Sequence, residues 1–562
     1  MFENAVAYLN REREVAFSLI DKNTFCGDVI VSGEIVQLSI DLGQGFPKSF
    51  PIIRVIHSKR FIPHSSSDGK LCLFDESSVM VKENMPEQLL LDSYDRAIEI
   101  LKMDLTTQKE EVLREFFAYW GEQSRKDFIL YTNLPTAEIH EYKEYTVIGN
   151  NNVFVVSSSI EESKILLEKH MGFNPSDTEK YKITCYRIRL RKSSLPKLDG
   201  GFTWKNIRNY ILDNITSSQK RRFNQMLSEH CSIVNRMLIL VIPSLYGDQY
   251  ACIWMHRNRY KKKQVLRNIS DCRIDAVTTI RIDPQYMLVR GGADNSILKK
   301  SVLLIGCGSV GGFVAENLCQ CGIGSLDILD KERLSTDNVH RHILGFNDAV
   351  TGQYKSDLLK QQLESRFPYV DIDSLSFADR TAEGFIKDPN NLLNYDLIVS
   401  ATGNPSLDLD INDALHGIED PPPFVVCFNE PYGIGGHAVV VLKSGGCLRC
   451  LYSDPISGEL VPFQGSFVKE GQSFSKYISG CSSAFVEYSV LDSQQTAIMA
   501  SRLILDVLNG KYEQTRLVSW IGSADKLRYK GFQTSDYYNE YEEKSFISRN
   551  ISCAKWCRTC RN

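Results

Sequence analysis

At 562 residues, 43% hydrophobic and 24% charged, the chain exceeds what one hydrophobic core supports and reads as a soluble globular protein of roughly three or four domains. Its net charge of -4 excludes a global attraction to nucleic acid or an anionic membrane, and no apolar run reaches the roughly 18 residues that cross a bilayer. The 16 cysteines are then expected to be reduced cytoplasmic thiols, in which clusters suggest metal and isolated residues in polar loops suggest nucleophiles.

The opening MFENAVAYLNREREVAFSLI has the pattern of an amphipathic helix carrying acids, not of a signal peptide. Strands are expected at CGDVIVSGEIVQLSIDL and PIIRVIHS, then the loop PHSSSDGKLCLFD, then helices through LDSYDRAIEILKMDL and KEEVLREFFAYWGEQ. That makes an α+β domain over residues 1–137. On its own, Cys72 in the loop fits a small core side chain better than a nucleophile. Residues 138–275 carry short strands such as YTVIG, NVFVVSS and MLILVIPS around a basic helical piece, and form a middle α+β linker domain without a motif of nameable chemistry. The runs SSQKRR and RNRYKKK fit solvated surface better than a basic docking face. From 276 to 562 apolar strands alternate with helices, as in a doubly wound parallel sheet.

In that last domain SVLLIGCGSVGGFVAENLCQCGIGSLDILDKE runs a buried strand into Gly306, Gly308 and Gly311, then a helix, then a strand ending at Asp330. Such glycines let backbone N–H groups approach phosphates at a helix N-terminus, and an acid at the end of the second strand accepts from ribose hydroxyls. The pattern fits NAD and ATP alike. Asn338, Arg341 and Lys355 follow on the polar side of the crevice. Cations there neutralise a triphosphate attacked at its α-phosphorus, which favours ATP. Two CxxC pairs, Cys447/Cys450 and Cys557/Cys560, suit tetrahedral Zn²⁺, with a redox pair as the alternative and Cys553 as a competing fourth ligand.

Gly306, Gly308, Gly311, Asp330, Asn338, Arg341, Gly352 and Lys355 stand in the order and spacing of the ThiF/MoeB and ubiquitin-activating enzyme family, which this part of the chain resembles. The resemblance implies a Rossmann-type adenylation domain with a zinc site, in which Asp330 holds the ribose, Asn338 and Arg341 the phosphates, and Lys355 the triphosphate. It also implies Mg²⁺, a homodimer, and an arginine reaching across the dimer to the phosphates, for which Arg281 and Arg290 both qualify. Gly403 stands where the family has a Mg²⁺-binding Asp, leaving Asp408, Asp410, or phosphate and water to hold the ion. Cys481, after a glycine and before a long amphipathic helix, resembles the thiol that takes the acyl group from the adenylate.

With that domain in place, Phe46, Pro47 and Pro51, then Gly69, Leu71, Cys72 and Leu73, resemble the ubiquitin-conjugating fold. The resemblance makes Cys72 the acceptor cysteine and places His64 where an Asn normally steadies the oxyanion. A conjugating-like domain ahead of an activating-like one resembles the bacterial fusion proteins of the CBASS antiphage systems. There the donor is the C-terminus of a cGAS/DncV-like nucleotidyltransferase, joined to target lysines. The resemblance thus implies a cytoplasmic, ATP-dependent ubiquitin-like protein ligase with no direct nucleic-acid or membrane contact. A sulfur-carrier-activating adenylyltransferase, which leaves residues 1–137 without a task, and a nucleotide-binding scaffold without conjugating activity are the alternatives.

Overall fold

In the computed structural model the described residues are all but 1, 57–61, 63, 67, 75–78, 82, 104–119, 122–123, 151, 179–180, 193–201, 229, 234, 245–246, 256–258, 266–271, 294, 377–380, 475, 478–483 and 562. Backbone alone is described at 126, 177, 230–233, 259–265, 476–477 and 484–485. The chain divides into two compact units, Met1–Asp283 and Pro284–Asn562.

The first unit begins with α1 (Phe2–Arg13), whose apolar face buries Ala5, Val6 and Leu9. Glu3 in its first turn and Arg11 and Arg13 in its last complement the helix dipole. Asn10 then brackets Phe17, its amide oxygen accepting from the Phe17 N–H and its amide nitrogen donating to the Phe17 carbonyl. An antiparallel meander follows: β1 (Ser18–Asp21), β2 (Thr24–Val31), β3 (Glu34–Asp41) and β4 (Ile52–Ile56). Ser32 and Gly33, with φ of 51° and 84°, turn β2 into β3, the left-handed pair that matches the twist of a two-residue hairpin. Helix α2 (Pro86–Lys102) opens on a proline, whose missing N–H costs nothing there, and covers the meander with Leu89, Leu90, Tyr94, Ala97 and Ile100. Arg13 grips Asp95 of α2 through two hydrogen bonds. The helix expected at KEEVLREFFAYWGEQ lies largely outside the described residues.

The rest of the unit is a closed barrel of β5 (Ser124–Thr132), β6 (Tyr142–Asn150), β7 (Val153–Val156), β8 (Tyr181–Arg189), β9 (Arg236–Ile242), β10 (Gln249–Met255) and β11 (Ile274–Arg281). Its order is β9-β10-β11-β5-β7-β6-β8. The run MLILVI in β9 is continuously apolar because both sides are covered. Met237, Ile239 and Val241 fill the barrel, while Leu238, Leu240 and Ile242 face α3 (Trp204–Asn214) and α4 (Ser217–Leu227). Strand β5 precedes the expected boundary at 137 and β11 runs past the one at 275, yet the two pair in parallel. A pairing between strands so distant in sequence leaves no local pattern to read.

The second unit is built on an eight-stranded sheet. Its strands are β12 (Ser301–Ile305), β13 (Ser325–Leu329), β14 (Asp371–Ser374), β15 (Leu397–Ser400), β16 (Phe424–Asn429), β17 (Gly435–Val441), β18 (Arg516–Ile521) and β19 (Phe546–Asn550), in the order β14-β13-β12-β15-β16-β17-β18-β19. The first five are parallel and the last three antiparallel. Along β12, Val302 and Leu304 join one core with α6 (Gly311–Gln320), α7 (Lys355–Arg366) and α9 (Val490–Leu508). Leu303 and Ile305 join the opposite core with α8 (Pro405–His416). Strand order reverses about β12, which pairs with β13 on one side and β15 on the other, so the crevice beyond their carboxyl ends is the place where such sheets bind ligands.

One glycine of the first unit ties the Cys72 loop to the meander. Gly69 has φ of 77°, and a Cβ there would fall 2.4 Å from the Val55 carbonyl oxygen. Gly69→Ala is expected to speed hydrogen exchange at the Val55 and Leu71 amides about 10- to 30-fold, measured on the whole protein, while the second unit exchanges as before.

Candidate functional site

Cys72 sits on a loop laced to the open edge of β4. The Val55 N–H donates to the Gly69 carbonyl at 2.9 Å and the Leu71 N–H to that of Ile53 at 2.8 Å. Leu71 and Leu73 are buried and Cys72 between them is exposed, the alternation of an extended segment with one side on the core. The Cys72 N–H donates to the His64 carbonyl at 2.6 Å, so the fold brings these two predicted residues together. His64 itself is left-handed, with φ of 58°. Phe46 is buried in the same domain's core.

In the second unit the glycine loop leaves β12 with Gly306 at φ of 85°, packed on Ala401 and Thr402. A Cβ on Gly311 would lie 2.0 Å from the Gly306 carbonyl oxygen, so α6 starts this close to the loop only because that residue has no side chain. Gly308 is open on its Cβ side. Two residues hold the loop by the backbone of Cys307. Asp330 accepts from the Cys307 N–H at 2.8 Å, its other oxygen accepting from the Glu332 N–H at 2.8 Å. His342 Nε2 is 2.8 Å from the Cys307 carbonyl oxygen, and its Nδ1 accepts from the Leu344 N–H at 3.0 Å. That pairing requires the tautomer protonated at Nε2. Burial then keeps the ring neutral, pushing its pKa down to about 4. The loop borders a cleft of about 200 Å³ lined by Gly306, Gly308, Asp330, Glu332, Thr402 and Asn404, among others.

Lys355, 5% exposed at the start of α7, reaches the cleft through Glu332: its Nζ lies 2.5 Å from the Glu332 carboxylate, whose pKa is lowered first by that hydrogen bond. Asn338 and Arg341 share a short 3₁₀ turn, Thr336–Arg341. Asn338 accepts from the Ser335 hydroxyl at 3.3 Å, and Arg341 donates to the Val486 carbonyl at 3.4 Å. Gly352 and Gly403 are both left-handed, with φ of 67° and 64°. Of the two acids near Gly403, Asp408 is buried and accepts from the Ser400 and Thr402 hydroxyls, and burial lifts its pKa to about 6. Asp410 is exposed. Arg281 is buried in the first unit and doubly bonded to Asp283 at 2.8 and 2.9 Å, whereas Arg290 is exposed at the end of α5 (Pro284–Arg290) in the second. Cys481 lies outside the described residues.

The structure gathers Cys447, Cys450, Cys557 and Cys560, with their sulfurs within 4.8 Å of one another. Individual separations are 3.9 Å for Cys447 to Cys450, 3.6 Å for Cys447 to Cys557 and 3.5 Å for Cys450 to Cys560. Four sulfurs around tetrahedral Zn²⁺ stand about 3.8 Å apart, so the cluster fits the ion. Crowding splits the thiols. Hydrogen bonding from Cys447 lowers Cys450 to about 6, and Cys557 is lowered as well, while Cys447 and Cys560 are raised. A dication removes that conflict by favouring all four thiolates. The Ala554 N–H donates to Cys450 Sγ at 3.3 Å, and the neighbouring Cys553 is exposed and outside the cluster.

Sequence reasoning missed His342, Glu332 and the hydroxyl cap on Asp408. Only Glu332 left a signal, as the second acid of DKE one residue beyond Lys331.

A glycine loop stands at the switch point of a parallel sheet, and in the other unit an exposed thiol stands on a laced loop, the two features expected of an activating and a conjugating module. The ThiF family model matches residues 282–512, and the prokaryotic E2 family B model matches residues 12–129. The ATP-dependent ubiquitin transferase-like protein Cap2 of Pseudomonas aeruginosa is 23% identical over 476 residues, covering 81% of this chain and 82% of that one. The protein of the same name from Escherichia coli is 23% identical over 573 residues, covering 91% of each. The sulfur carrier protein adenylyltransferase of Thermus thermophilus is 26% identical over 186 residues, 32% of this chain and 67% of that one. Among the described residues no helix is long and apolar enough to cross a membrane.

The cysteine cluster and the buried histidine each set a measurable expectation. Cys447→Ala and Cys560→Ala should each lose zinc by elemental analysis and lower the thermal midpoint, whereas Cys553→Ala should keep about one Zn²⁺ per chain. For His342, the unfolded chain binds a proton near pH 6.5 and the folded chain only near pH 4. Its contribution is therefore fully present above about pH 6.5 and is lost as pH falls toward 4. Asp408, raised to about 6, slopes the other way, so the comparison must be with a variant at the same pH. Between pH 7 and 4.5 the wild type should lose about 2 to 3 kcal/mol relative to His342→Gln in denaturant titrations.

Proposed function

We propose that the protein is a ubiquitin-like ligase that adenylates the C-terminal carboxylate of a donor protein and passes the acyl group from Cys481 to Cys72 and then to a target amine. The observation that carries it is the exposed Cys72, held on β4 beside His64, in a chain whose other unit builds a glycine cleft with Lys355 at its rim. In the first step a carboxylate oxygen attacks the α-phosphorus of ATP, and the bond to pyrophosphate breaks. Lys355 and Arg341 neutralise the phosphates and Asp330 holds the ribose, with Asn338 beside them. Mg²⁺ would be held chiefly by phosphate and water, Asp408 being committed to two hydroxyls. The Cys481 thiolate then attacks the acyl carbonyl and AMP leaves. Thioester exchange moves the acyl group to Cys72, and a lysine amine displaces that thiolate to form an amide, with His64 donating to the oxyanion.

The finer reading is that the donor is a cGAS/DncV-like nucleotidyltransferase in a CBASS antiphage system and that the enzyme is a cytoplasmic homodimer. The two Cap2 relatives and the order of the domains support it. Arg290 is the arginine offered across the dimer, because Arg281 is committed to Asp283. The Thermus relative keeps a sulfur-carrier role in view, but it leaves the Cys72 domain without a task.

Donor-dependent pyrophosphate exchange should fall about 100-fold or more in Lys355→Ala and survive in Cys72→Ala and Cys481→Ala. Non-reducing gels should show one thioester in Cys72→Ala and none in Cys481→Ala, and Cys72→Lys should trap the donor as an amide. A branched peptide at residue 72 that still forms without Cys481 overturns the relay, and exchange at the wild-type rate in Lys355→Ala overturns the adenylation site.

A further inference from the structure

The glycine loop and the turn carrying Arg341, which come from different elements, meet at a single side chain outside both. Ser309, between Gly308 and the start of α6, has its hydroxyl 2.9 Å from that of Tyr488. Arg341, at the end of the 3₁₀ turn, carries its guanidinium carbon 5.6 Å from the centroid of the Tyr488 ring and donates to the carbonyl of nearby Val486. Tyr488 thus touches both the glycine loop and Arg341, the loop and the cation assigned above to the phosphates.

The backbone on either side of Tyr488 is anchored. The Tyr432 N–H donates to the Glu487 carbonyl at 2.6 Å, and the Glu487 carboxylate lies 2.6 Å from Lys526 Nζ. Ser489 caps α9 in a reciprocal box with Asp492. The turn before β17 packs directly on that cap, since a Cβ on Gly433 would fall 2.7 Å from an Asp492 oxygen. With both flanks held, the ring has a defined place from which to act on its two neighbours.

We propose that Tyr488 is a positioning residue for ATP: its hydroxyl fixes Ser309 and hence the glycine loop, and its ring face orients Arg341 toward the phosphates. A guanidinium already oriented over an aromatic face loses less freedom when it meets an anion, and a tethered loop presents its N–H groups without rearrangement. The inference rests on the ATP-binding reading above, and it assigns to a residue of the segment entering α9 a part in the nucleotide site, beyond the glycine, Asp330, Arg341 and Lys355 set.

The test is calorimetric titration of the full chain with MgATP, which needs no donor. Tyr488→Phe and Ser309→Ala should each weaken binding about 3- to 10-fold, and the double variant should be no weaker than the poorer single one, because both remove the same contact. Tyr488→Leu, which also removes the ring beneath Arg341, should bind about 3-fold more weakly again. Thermal midpoint and zinc content should match the wild type throughout. Wild-type affinity in all three single variants, or strictly additive losses in the double variant, overturns the role of Tyr488 and leaves the ATP reading standing. No MgATP binding by the wild type overturns both.

Discussion

The backbone of Cys307 is held from both sides, its N–H by Asp330 and its carbonyl by a histidine that burial keeps neutral. A glycine-rich loop is flexible by composition, and flexibility would cost binding free energy each time the loop closed on a ligand. The two hydrogen bonds remove that cost in advance. They also connect the loop to the end of β13 and to the turn carrying Arg341, so that the glycines, Asp330 and Arg341 form one connected group. Lys355 joins the group through Glu332, whose own N–H is bonded to Asp330.

The cysteine cluster serves the same sheet from its other side. It binds the loop after β17 to the segment after β19, and the short connections around it are hydrogen-bonded in turn. Asn412 of α8 accepts from the Leu448 N–H, and Asp413 pairs with Arg449 and accepts from Thr559. Helix α8, whose other end borders the glycine-loop cleft, is therefore fastened to the four-cysteine cluster at its C-terminal turns, so that disturbing the cluster would loosen the cleft's wall.

Cys72 depends on a different kind of control. In the proposed relay, exchange with an incoming thioester would not require a base held against the nucleophile, and access would be the main requirement. Access is what the loop provides, by burying Leu71 and Leu73 and leaving the residue between them exposed. The buried pair also explains why the loop reads as ambiguous in isolation: its pattern is that of an ordinary edge segment.

Features written in short covalent spacing were legible without the fold. The glycines, the acid ending the second strand, both CxxC pairs and the small-residue loop before Cys72 each span a few residues, over which backbone geometry dictates what side chains can share. Tertiary structure decided the rest, because the deciding contacts join residues far apart in the chain. Only the fold brings Cys447 to Cys557 across 110 residues and leaves Cys553 outside. Only the fold pairs β5 with β11 to close a barrel that no stretch of sequence announces, and commits Arg281 to Asp283 while Arg290 stays exposed. His342 is the clearest case: a histidine in a polar stretch looks like a titrating surface group, and it becomes a fixed neutral donor only when folding removes water from its ring and places the Cys307 carbonyl against it.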